Sequence, residues 1–152
     1  MSTLGRVRCA VLGSRGLVAQ RLLQRLSNHH WLAPVCVVGS SESEGMKVSE
    51  IPWSFSETKP SLPDLRIIGI GQNGELASHL ISEGVRIVFS ALPDSPASYI
   101  EEELAKAGLV VISHSTVHRH SEVIPLVVPG VNNDHLGLID LQSGFGKGML
   151  VS

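Results

Sequence analysis

The feature that most limits the fold is the recurrence of short, valine- and isoleucine-rich runs separated by segments of helical spacing. RVRCAVL (6–12), APVCVVG (33–39), LRIIGI (65–70), VRIVFSAL (85–92) and LVVIS (109–113) are apolar through most of their length. Such runs suit strands buried on both faces of a sheet. Between the first two, Leu17, Val18, Leu22, Leu23 and Leu26 recur as one helix face would, so the opening reads as a βαβ unit. NGELASHLISEG (73–84) predicts a helix with Leu76, Leu80 and Ile81 on one face, closed by Gly84. Ala97, Ile100, Leu104 and Ala107 predict another, with Pro96 in its first turn and Gly108 as its stop. The apolar run PLVVPGV (125–131), a helix over NNDHLGLIDLQ (132–142) and a last strand in GMLVS (148–152) complete the chain.

Strands alternating with helices demand a mostly parallel sheet covered on both faces, a doubly wound, Rossmann-like α/β fold. At 152 residues, with 43% hydrophobic and 17% charged content, one domain with its own core is expected. Ser40 to Pro63 is rich in Ser, Glu, Lys and Pro, and reads as a long loop pinned at Trp53 and Phe55. Twelve basic and fourteen acidic residues give a net charge of −2, which offers no footprint for nucleic acid or an anionic membrane surface. No apolar run approaches the roughly 20 residues of a bilayer span, and MSTLGRVRCAVL is too short an apolar lead for a secretory signal, so a cytoplasmic location is expected. Cys9 and Cys36 fall within strands and read as reduced, buried thiols.

In parallel α/β sheets, ligands bind at the carboxyl ends of the strands, here just after residues 12, 39, 90 and 113. The first of these turns, Gly13-Ser14-Arg15-Gly16-Leu17-Val18-Ala19, has G-x-x-G-x-x-A spacing. Gly13 permits the tight turn, Gly16 lets a phosphate approach the backbone, and Ala19 allows close helix–strand packing. Arg15 is unusual in such a turn: it either adds a phosphate contact or fills the space a phosphate would take.

VLGSRGLVAQRLLQRL, VFSALPDSPASYIEEELAKAGLVVIS and VIPLVVPGVNNDHLGLI together resemble aspartate-semialdehyde dehydrogenases, especially the archaeal and fungal branch. The resemblance covers essentially the whole chain but only the N-terminal, cofactor-binding half of those enzymes. It implies that the cysteine nucleophile, the acid/base histidine and the substrate-gripping arginine lie in the other half, so that the 152 residues alone do not turn over a semialdehyde. In that family Thr is usual where Arg15 stands, Arg where Glu42 stands after Ser40 and Ser41, Asn where His114 stands, and Glu where Gly130 stands. Arg119 and the Ser90-Ala91-Leu92-Pro93 segment are as the family has them. A carboxylate at Glu42 repels a 2′-phosphate but accepts hydrogen bonds from a ribose diol. These departures imply that no dinucleotide is resident in the cleft and that, if one binds, it is NAD rather than NADP.

SHSTVHRH (113–120) places His114, His118 and His120 within seven residues after a strand. Histidine is the usual proton carrier near neutral pH. The expected acid/base group is His114, with Ser90 as hydrogen-bond donor and Arg119, beside Arg15, as an anion grip. No metal-ligand spacing accompanies them. The functional expectation is a repurposed domain performing non-redox isomerisation, cyclisation or elimination on a small metabolite in the former cofactor cleft, with Arg15 paired to Glu42. The alternatives are a truncated NAD(P)-binding domain and a noncatalytic binding module. Apolar surface around 125–131 and the last strand is expected to be covered by a second copy or a partner protein.

Overall fold

The computed structural model describes residues 5–62, 64–71 and 74–152. Pro63, at the end of the expected loop, and Asn73, at the start of the expected second helix, lie outside the described residues. The elements follow the order β1 (Val7–Leu12), α1 (Leu17–Ser27), β2 (Leu32–Gly39), β3 (Ile67–Gly69), α2 (Glu75–Ser82), β4 (Ile87–Ser90), α3 (Asp94–Lys106), β5 (Val110–Ser113) and β6 (Met149–Val151). The six strands form one parallel sheet in the order β3-β2-β1-β4-β5-β6. This is the doubly wound Rossmann-like arrangement, in which the strand order reverses between β1 and β4.

Strand side chains alternate between two cores. Ala10, Leu12, Cys36, Val38, Val88 and Val111 face α2 and α3. Cys9, Val11, Val37 and Ile67 face α1 and the residues around Val48 and Ile51. That alternation explains why the central strands read as continuous apolar runs: over β1 and β2 each face has its own cover.

Three helix faces are refined by the structure. α1 buries Ala19, Gln20, Leu23 and Leu26, whereas Leu17 and Val18 in its first turn are exposed beside the ligand edge. α2 buries Leu76, Ala77 and Leu80, which turns Ile81 outward, half exposed. α3 buries Ala97, Ile100, Leu104 and Ala105, and Ala107 is already its C-cap. Gly84 and Gly108 close their helices with positive φ, as their positions in the sequence predict.

Pro34 lies within β2. It has no amide to donate, and the β1–β2 register slips there, Cys9 facing Pro34 while Ala10 faces Cys36. Residues 125–127 run alongside the end of β6 through two backbone bonds, Val127 N to Ser152 O and Ser152 N to Pro125 O, both 2.9 Å. The expected helix over 132–142 is instead a 3-10 helix, Asn133–Leu141, with none of its residues buried. On the opposite edge of the sheet, the 45–48 segment folds back antiparallel to β3, with Ile67 N donating to Met46 O at 2.8 Å and Val48 N to Leu65 O at 2.8 Å. No helix among the described residues is long and apolar enough to cross a membrane.

Candidate functional site

The carboxyl ends of β1, β2, β4 and β5 bring the candidate residues to one edge. Gly13 leaves β1 with φ of 99°, and its amide donates to Val38 O at 2.8 Å. A β-carbon on it would lie 2.9 Å from Ala91 O, so the turn packs directly against the β4–α3 connection. Ser14 is buried, its hydroxyl 3.0 Å from that of Ser43, which in turn donates to Ser40 O at 3.1 Å. These two hydroxyls sit over Gly39, where any β-carbon would collide with them. Any larger residue at position 39 would therefore displace these hydroxyls and the Ile67 side chain. The loop after β2 is thereby locked to the loop after β1.

Gly16 differs from Gly13. It caps α1 in an extended conformation, φ of −67°, and no atom comes within 4 Å of where its β-carbon would be. α1 has neither a side-chain cap nor an acidic residue in its first turn. The amides at the start of a helix, with the positive end of its dipole, then face open space, an arrangement suited to a phosphate.

Arg15 and Glu42 meet as anticipated, with Nη1 3.9 Å from Oε2 in a largely exposed pair. The other guanidinium nitrogen lies 3.6 Å from Met46 Sδ. Ser40 and Ser41 are exposed beside them.

On β4 and β5, Ser90 and Ser113 are in register. Ser90 is buried, and its hydroxyl has no hydrogen-bond partner among the described residues. Its carbonyl accepts from His114 N at 2.9 Å. Ala91 is half-buried and Leu92 buried. His114 and Arg119 are exposed, Arg119 Nη2 lying 3.4 Å from His114 O. Both line the mouth of a groove of about 790 Å³ whose walls include Val110, Ile112, Leu126, Leu136, Met149 and Val151. The groove lies on the half of the sheet face that α1 leaves bare. Of the three candidate catalytic residues, His114 and Arg119 thus share the groove, while the Ser90 side chain, in phase with Val88, is buried on the α2/α3 side of the sheet and does not line it. Gly130, with φ of 83°, sits in a turn beyond the groove.

A model of the semialdehyde dehydrogenase NAD-binding domain matches residues 8–139. The chain belongs to the semialdehyde dehydrogenase NAD-binding domain family. Aspartate-semialdehyde dehydrogenase of Archaeoglobus fulgidus is 36% identical over 134 residues, 87% of this chain and 37% of that protein. The Trichophyton rubrum enzyme of the same name is 34% identical over 156 residues, 99% of this chain and 41% of its own. The solved structure of Candida albicans aspartate-semialdehyde dehydrogenase with NADP superposes with a TM-score of 0.77 at 28% identity, covering 96% of this chain and 42% of that one. The chain therefore spans about two-fifths of the length of these relatives.

Within this NAD-binding domain neither cysteine is placed for chemistry. Both thiols are free and buried. Burial, and then the neighbouring Cys36, pushes Cys9 up to about 12, and burial followed by the charge of Glu83 pushes Cys36 up to about 11. Nucleophilic cysteines are shifted the opposite way. Among the described residues, no group of three His, Cys, Asp or Glu side chains is placed to hold a metal ion.

Two functional-edge features are absent from the sequence reading. Gln20 is buried on α1 and holds the long loop: its amide donates to Arg15 O, Pro52 O and Ser54 Oγ, and its carbonyl accepts from Ser54 N at 2.8 Å. Trp53 and Phe55 add an edge-on ring contact, with Arg21 over the Phe55 ring, so the aromatic pin is real but secondary. The second feature is Glu101, fully buried on α3 and facing His118, which also turns inward. A polar residue within an otherwise apolar helix face was the only signal for either.

Proposed function

We propose that this domain binds a nicotinamide dinucleotide across the carboxyl edge of its sheet, as the cofactor-binding part of a semialdehyde dehydrogenase-type protein. The observation that carries this reading is the open, uncapped start of α1 at Gly16, where the missing β-carbon leaves space that no protein atom fills. In this reading the Gly13–Val18 turn holds the pyrophosphate, Ser40 and Glu42 receive the adenosine ribose, and Ser90 to Leu92 with His114 flank the nicotinamide half. Arg15 serves the phosphates: its exposed pair with Glu42 is weak and salt-screened, and a dianionic pyrophosphate competes with it readily.

NAD is favoured over NADP, because Glu42 offers a carboxylate where a 2′-phosphate would need a cation. The non-redox alternative centred on His114 has its place at the groove mouth in its favour, but no side chain among the described residues orients the imidazole. Semialdehyde oxidation or reduction is proposed only for an assembly in which a nucleophile-bearing half accompanies this domain, since Cys9 and Cys36 are unsuited to that role.

Titration calorimetry with NAD and NADP tests the reading. Micromolar binding of NAD, weaker binding of NADP and a reversed preference in Glu42→Arg are expected. Absence of heat with either dinucleotide at millimolar concentration would refute it.

A further inference from the structure

The β5–β6 connection carries His114 and Arg119, and two carboxylates of α3 hold it. Asp94, in the first turn, accepts from Thr116 N at 2.9 Å and from the Thr116 hydroxyl. Glu101, seven residues on and so on the same side of the helix, accepts from Ser115 Oγ at 3.4 Å and lies 3.0 Å from His118 Nε2. The Ser115 hydroxyl is also 2.9 Å from that of Ser113, the last residue of β5. Glu101 is 0% exposed and His118 4%; among the described residues neither Glu101 Oε1 nor His118 Nε2 has an aligned hydrogen-bond partner, so the two side chains meet as a close buried pair rather than through a directed hydrogen bond.

A carboxylate and an imidazole placed among Ala97, Ile100, Leu104 and Ala105 are an expensive way to fill space. Apolar side chains of similar volume commonly stabilise as well or better. What a buried pair supplies is registry: it admits one seating of the loop, whereas apolar contacts tolerate sliding.

The seating matters because of where the loop leads. His114 N is fixed to Ser90 O, Ser90 and Ser113 are in register, and Gly13 packs on Ala91. The glycine turn, the end of β4 and the start of the loop therefore form one continuous ledge. In a sheet whose order reverses between β1 and β4, one half of a dinucleotide lies over β1 to β3 and the other over β4 to β6.

We propose that Glu101 and His118 are positioning residues that set the 114–120 loop for the nicotinamide half of the cofactor. This rests on the dinucleotide reading above. They touch no ligand themselves and act through the backbone of Ser113 to Thr116. The effect is therefore confined to one half of the ligand, and the adenosine half, held by the β1 and β2 turns, does not sense it.

The test compares NAD with ADP by calorimetry in wild type, in Glu101→Gln and in the double variant Glu101→Leu/His118→Leu. The double variant removes both buried polar groups together, so neither is left without its partner while the loop is released. NAD affinity is expected to fall about tenfold, the loss that one misplaced hydrogen bond brings, with ADP affinity unchanged. Glu101→Gln, which keeps the shape and removes the charge, is expected to show the same split and carries the test should the double variant not fold. Unchanged NAD affinity in the variants, or parallel loss of NAD and ADP, would overturn the proposal. Wild-type protein that binds neither ligand would refute the dinucleotide reading itself, and this one with it.

Discussion

The carbonyl oxygen of Ala91 lies 2.9 Å from the place a β-carbon on Gly13 would occupy. The first turn and the β4–α3 connection are thus in contact without any side chain between them. Gly13→Ala is expected to destabilise the domain by about 1–3 kcal/mol, from its positive φ and this collision. Gly16→Ala, in an extended conformation facing open space, should change stability by no more than about 0.5 kcal/mol. It should nevertheless weaken NAD binding, because the new methyl enters the space assigned to phosphate. Urea denaturation and calorimetry on the pair separate the two roles, and equal stability losses would contradict the assignment.

Gln20→Leu should cost about 2–3 kcal/mol, since it leaves Ser54 N and the carbonyls of Arg15 and Pro52 without their partner. Proteolytic cleavage should accelerate in the 52–62 segment before the rest of the domain is attacked. Uniform cleavage would mean that the loop has other anchors.

The buried thiols predict behaviour in alkali. Their folded values are raised from 9.0 to about 12 for Cys9 and about 11 for Cys36. The folded state holds these protons more tightly than the unfolded state, so the associated stability is complete below pH 9 and is lost as pH rises through the folded values. Neither thiol should react with a thiol reagent at neutral pH until the protein unfolds, and Cys9→Ala should flatten the alkaline limb of the stability curve. Rapid labelling of the native protein would contradict the buried placement.

Asp94 makes the opposite prediction in acid. Hydrogen bonds from the Thr116 hydroxyl and then its amide hold the carboxyl below its ordinary value of 3.8, and the charge of Arg119 adds to this. The folded state binds that proton less tightly, so the contribution is present above 3.8 and disappears as pH falls through the depressed value. Asp94→Asn should therefore show a shallower acid unfolding limb than wild type, followed by circular dichroism. An unchanged limb would remove Thr116 as its cause.

If a second copy covers the groove between β5 and the 3-10 helix, the protein should sediment as a dimer at micromolar concentration and Ile112→Glu should return it to monomer. A monomeric wild type would count against self-association.

The alternation of strands and helices in a parallel sheet was legible from the apolar runs and the helical spacing between them, and the ligand edge followed from it, whereas the order β3-β2-β1-β4-β5-β6 was not. The Arg15–Glu42 pairing was legible too, since both residues stand at adjacent turns of that edge. Helix faces were less so: Leu17 and Val18 fit the apolar period, yet they precede the point where α1 meets the sheet. The 3-10 geometry over 133–141 left no periodic trace, because none of those residues is buried. Gln20, Glu101 and the inward turn of His118 escaped for a common reason. Their roles depend on partners 14 to 34 residues away, and spacing along the chain carries no record of such partners.

Both rims of the sheet carry backbone partners from the chain's own connections, 45–48 beside β3 and 125–127 beside the end of β6. Ribbon-like growth by adding strands from neighbouring molecules is obstructed at each margin. Among the described residues each margin of the six-stranded sheet already holds a stretch of its own chain, which leaves little unpaired backbone there to template a further strand.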